Sequence, residues 1–118
     1  MANTITVNKT SRGNKQFQGA FKEMWTVTGT VSTWDTAVAA TAIGEIDVTV
    51  PGVTIGDMVL GVSIADDIDD GTDQASFSAY VSAANTVTVQ ISADNAEFSN
   101  AGIDDGVAFK LLVGRPNW

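Results

Sequence analysis

Polar and apolar positions alternate along most of this chain with a period of two, the spacing of strands that bury one face. The clearest case is Phe77 to Ile91. Phe77, Ala79 and Val81 share one face of a first strand, and Val87, Val89 and Ile91 share one face of a second. Small and turn-forming residues, Ser82 to Asn85, lie between them, so the stretch predicts an antiparallel hairpin. The same alternation predicts strands through Ile5 and Val7, through Phe21, Trp25, Val27 and Val31, and through Ile46, Val48 and Val50. It continues through Met58, Leu60, Val62 and Ile64, and last through Val107, Phe109, Leu111 and Val113.

Between these runs lie turn and loop signals. Asn8 to Gly19 is rich in Asn, Gly, Gln, Ser and basic residues and reads as an exposed loop or arm. Trp34 to Ala42 is alanine-rich and fits either a helical turn or two capped by Ser32 or Thr33, or a bulged strand. Pro51-Gly52 and Gly56-Asp57 punctuate the middle of the chain. Ala65 to Gln74 reads as an acidic loop, and Ser92 to Gly106 as a long polar connection anchored by Phe98 and Ile103.

Many short strands separated by turns predict an all-β sandwich or barrel. Thr, Val and Ile supply 36 of the 118 residues, a β-branched excess that suits pleated surfaces. The expected fold is a jelly-roll-like β-sandwich of about eight strands with an N-terminal arm, residues 1–22 forming the basic strand and arm and 23–118 the single sandwich domain. An immunoglobulin-like sandwich is the alternative, although its Cys…Trp…Cys pattern is missing. The expected core comprises Ile46, Val48, Val50, Leu60, Val62, Phe77, Val81, Val87, Val89, Phe109 and Leu111.

Charge divides the chain in two. The first 22 residues hold Lys9, Arg12, Lys15 and Lys22 and no acid, whereas 14 acids follow against only Lys110 and Arg115, for a net charge of −8. Such an acidic body disfavours nucleic acid, which binds through cations meeting phosphates. No apolar stretch is long enough to span a membrane.

The chain has neither His nor Cys. That removes the usual general base, the usual catalytic triad and a disulfide framework. The carboxylate pairs Asp104-Asp105 and Asp94 with Glu97 carry no sequence signature of glycoside hydrolysis. The run Asp66-Asp67-Ile68-Asp69-Asp70-Gly71-Thr72-Asp73 invites a calcium reading. Set on Gly71, however, an EF-hand loop needs an acid at 68 and a Glu at 77, where Ile68 and Phe77 stand. No cofactor, metal, small-molecule substrate or enzymatic activity is expected.

The aromatics Trp25, Trp34, Tyr80 and Trp118 suit either core packing or a stacking platform for a sugar or protein partner. Trp118 either folds back onto the domain or inserts into a neighbour.

Three phrases carry a resemblance: Val50-Pro51-Gly52-Val53 with Gly56-Asp57-Met58-Val59, then Ala79 to Val89, then Phe109-Lys110-Leu111-Leu112-Val113. In order and spacing, Ile46 to Val113 resembles the head-decoration, knob and head-fibre proteins of tailed bacteriophages. Gln90, where a basic residue often stands, and the Asp66 to Asp73 run depart from that pattern. The resemblance implies a non-enzymatic decoration or cement protein, often homotrimeric, bound to the major capsid protein on the head exterior and made in the host bacterial cytoplasm. A receptor- or glycan-binding tip domain of a head or tail fibre is the alternative.

The basic segment then supplies candidate partner contacts: Lys9, Arg12, Lys15, Phe17, Phe21 and Lys22, together with Trp118. The competing expectation is that this segment straps back onto the acidic body and neutralises part of it.

Overall fold

The computed structural model describes residues 3–13, 20–34, 37–65, 69–70, 73–94, 98 and 106–118. Eight strands follow in order: β1 (Thr4–Gly13), β2 (Phe21–Thr33), β3 (Ile43–Thr49), β4 (Met58–Ile64), the two-residue β5 (Asp69–Asp70), β6 (Asp73–Ala83), β7 (Thr86–Ala93) and β8 (Ala108–Pro116). Sheet 1 runs β1-β2-β8-β4. Sheet 2 runs β3-β7-β6, with β5 added beside β6, and every pairing is antiparallel.

The winding is jelly-roll-like. In sheet 1 β2 pairs with β8, and in sheet 2 the next strand, β3, pairs with the preceding one, β7. The stretches β2–β3 and β7–β8 thus form one long antiparallel ribbon folded over the core. β4 and β6 continue it on the outer flanks of β8 and β7. The last strand lies between β2 and β4, whereas the immunoglobulin arrangement leaves its last strand at an edge.

Alternation explains most of the core. Trp25, Val27, Val31, Phe109, Leu111 and Val113 face inward from sheet 1, and Ile46, Val48, Val81, Val87, Val89 and Ile91 from sheet 2. Val50 and Val53 close one part of the core, while Trp34, Val38 and Phe98 close another. Phe98 is fully buried, with its ring edge-on to Trp34 at 5.8 Å between centroids and its backbone paired to Val38. Val62 and Phe77 pack against the core half-buried.

Leu60 departs from the expected core. On β4, Val59 opposes Val113 and Gly61 opposes Leu112, which leaves Leu60 as the extra residue of a β-bulge. The bulge shifts the parity, so Val59, Val62 and Ile64 turn inward while Met58 (41%) and Leu60 (39%) stay exposed.

The basic segment also departs from its loop reading. Asn8 to Gly13 continues β1 and pairs with Met24 to Thr28 past a bulge at Asn8. This part of the expected arm is therefore built into sheet 1. Where Gly29 faces β1, an added Cβ would press on the backbone of Thr6 and Val7, so glycine permits the close approach of the two strands.

Neither a helix nor a continuous strand is found at Trp34 to Ala42 among the described residues. Val38 makes an isolated bridge to Phe98, and a turn at Thr41 (φ 60°) leads into β3. Within the acidic run, Asp69–Asp70 pairs with Asp73–Gln74; Asp66, Asp67, Ile68, Gly71 and Thr72 lie outside the described residues, as does Ile103.

Candidate functional site

Trp25 organises one end of the sandwich. Its indole is fully buried, and its Nε1–H donates to the Pro51 carbonyl at 3.1 Å. The guanidinium carbons of Arg12 and Arg115 lie 5.0 and 5.1 Å from the ring centroid, within cation–π range. Arg115 grips Asp57 with two parallel bonds, Nε to Oδ1 and Nη2 to Oδ2, each 2.9 Å, and Nη2 also donates to the Gly52 carbonyl. Arg12 Nε donates to Glu23 Oε2 at 2.6 Å.

Burial of the Asp57 carboxyl works to raise its pKa. The hydrogen bonds from Arg115 and the Thr54 N–H, with the Arg115 and Arg12 charges, outweigh that and hold it below its ordinary value. Arg115 is raised, first by its bond to Asp57.

The Pro51-Gly52 turn joins this cluster to the β6–β7 hairpin. Gly52 (φ +96°) leaves room for Arg12 and donates its N–H to Asn85 Oδ1 at 2.8 Å. Asn85 holds the left-handed turn position (φ 61°) and exchanges backbone bonds with Val50 and Val53. Two phrases far apart in sequence are thus one corner of the fold.

That leaves the outer face of sheet 1. Every cation among the described residues sits on a strand of this sheet: Lys9, Arg12, Lys22, Lys110 and Arg115. The one carboxylate on those strands, Glu23, is engaged by Arg12 at the Trp25 end. Lys9 pairs with Thr28, and Thr28 with Lys110, so the two lysines flank one threonine on the outward side, roughly 10 Å apart by the strand spacing. Neither lysine, nor Lys22 in its bulge, is ion-paired among the described residues. Beside Lys110 runs a shallow groove of about 380 Å³ lined by Thr26, Thr28, Gly61, Ser63 and Leu112.

The groove meets an apolar corner. Phe21 lies over Gly114, where an added Cβ would sit 2.7 Å from its ring and 3.0 Å from Leu60 Cδ1. The Trp118 ring packs against Phe21 at 5.7 Å yet stays 79% exposed. Met58, opposite Gly114, and Leu60 complete the corner. Large apolar side chains grouped at a surface mark interaction sites.

The opposite face of the sandwich, on sheet 2, has no cation on β3, β6 or β7. Its outward side carries Glu45 and Asp47 among hydroxyl and amide side chains.

The residues nominated from sequence therefore separate. Lys9, Phe21, Lys22 and Trp118 belong to sheet 1 or lie against it, and Arg12 is tied to Glu23 and Trp25 as a strap. Lys15 and Phe17 lie outside the described residues. Trp25 and Trp34 are core. Lys110, Met58 and Leu60 join the surface although sequence reading did not place them there; the lack of acids on β1, β4 and β8 was the available signal. Of the carboxylate pairs, Asp94 alone is described. No group of three or more potential metal ligands occurs among the described residues. Against protein-family models, curated proteins and solved structures, the chain has no match.

Proposed function

We propose that this chain is a non-enzymatic decoration protein of a tailed-phage head, docking on the major capsid protein through the outer face of sheet 1. The observation that carries the one-sided docking is the partition of the surface. Among the described residues, lysines without an ion pair and an apolar corner share a face free of acids, while the other sheet face carries Glu45 and Asp47. Attraction to an acidic shell would steer the encounter, and Phe21, Leu60 and Trp118 would anchor it. The capsid itself enters through the resemblance of the Ile46 to Val113 segment, as does a homotrimer at a capsomer junction.

The test is a binding series on capsids stripped of decoration. Lys9→Glu with Lys110→Glu should weaken binding about tenfold at low salt, roughly 1.4 kcal/mol, and less at high salt. Leu60→Asp should weaken it at both. Because these side chains are exposed, the melting temperature should hold. Undiminished binding by both variants would overturn the docking face. Copy number then separates decoration, with hundreds per virion, from a fibre tip with a few tens or fewer.

A further inference from the structure

The outer face of sheet 2 carries an aromatic ring held in an unusual place for an exposed tyrosine. Tyr80 is on β6, and its hydroxyl lies 3.4 Å from Glu45 Oε2 on β3, with β7 between the two strands. Glu45 lies two strands across and two residues along from Tyr80, so their backbones are roughly 12 Å apart, and the ring must lie down across β7 rather than stand away from the sheet. Thr88, directly opposite Tyr80 on β7, is only 4% exposed although it belongs to the outer face. Tyr80 as a residue remains 45% exposed.

Polar groups fixed by their own bonds surround this platform. Glu45 Oε2 also accepts from Gln90 Nε2 at 3.1 Å. Thr88 Oγ1 donates to Asp47 Oδ1 at 2.7 Å and shares a second 2.7 Å hydrogen bond with Ser82.

We infer that this face is a binding site for neutral saccharides, with Tyr80 as the stacking platform. A pyranose ring has an apolar C–H face that packs on an aromatic ring, and hydroxyls at its rim that pair with carboxylate and amide groups. Here the ring lies along the surface, and the carboxylates of Glu45 and Asp47 and the amide of Gln90 stand at its margin. The three strands carry no Lys or Arg, so uronic, sialylated or phosphorylated sugars meet uncompensated negative charge. Neutral sugars do not. The site is independent of docking: with sheet 1 seated on a partner, this face points away from it.

The experiment is binding of the full chain to an array of immobilised neutral and sialylated oligosaccharides. Binding is expected to neutral members and not to their sialylated counterparts. Tyr80→Ala should reduce the signal at least tenfold and Glu45→Gln several-fold, both with native circular dichroism and melting temperature. Lys9→Glu with Lys110→Glu should leave it unchanged. The inference is overturned if the unmodified chain binds no neutral glycan, if sialylated glycans bind equally, or if Tyr80→Ala binds as well. Capsid docking by Tyr80→Ala is expected to stay intact, so failure here and failure of the docking reading are separately visible.

Discussion

Replacing Trp25 with Ala is expected to destabilise the fold by about 3–5 kcal/mol, a large share of the stability of a domain this size. The indole is fully buried, so truncation loses its transfer energy and opens a cavity between the sheets. It also removes the donor to Pro51 and the ring over which Arg12 and Arg115 lie. Trp25→Phe keeps an aromatic face and loses the N–H, so it should cost clearly less. Urea unfolding of the two variants measures both. A loss under about 1 kcal/mol for Trp25→Ala would mean that this end of the sandwich collapses without penalty, contrary to close packing.

The second large effect belongs to Asp57. Its side chain is 3% exposed and holds Arg115 by two bonds. Asp57→Asn should cost about 3 kcal/mol at neutral pH, because a mostly buried guanidinium loses its principal counter-charge. The sign with pH follows from linkage. The folded-state pKa is lowered, so the stabilisation is present above the ordinary carboxylate value of 3.8 and is lost as pH falls through the lower folded value. Stability of the unmodified chain should therefore fall with acid below about pH 4, and Asp57→Asn should lack that part of the fall. An identical acid profile in the variant would place the linkage on other carboxylates.

Much of the fold was legible because the strands are half-buried and alternate cleanly. β8 and the β6–β7 hairpin follow directly from their parity, as does β2 from Trp25 onward, and Phe98 stood out as an apolar residue in a polar connection. Phe21 shares the sequence parity of Trp25, Val27 and Val31, but the bulge between Phe21 and Glu23 turns it to the outer face over Gly114. Leu60 misled because a bulge changes parity without a mark in the apolar pattern. Asn8 to Gly13 misled because its loop-like composition is overridden by the ladder to β2 and by Arg12 settling over Trp25. The surface was the least legible part. Lys9 and Lys110 lie near opposite ends of the chain and become neighbours only once β1, β2 and β8 are known to be adjacent. Tyr80 read as a candidate platform, but its reach across β7 to Glu45 depends on the order of sheet 2.

The most direct test of the proposed docking is a cryo-EM reconstruction of the tailed-phage particles that this chain is proposed to decorate. Density for the sandwich is expected on the head exterior, in hundreds of copies, with Lys9, Lys110, Leu60 and Trp118 against the capsid protein and Tyr80 turned outward. Absence of the chain from the particle, or a seat through the Tyr80 face of sheet 2, would contradict it.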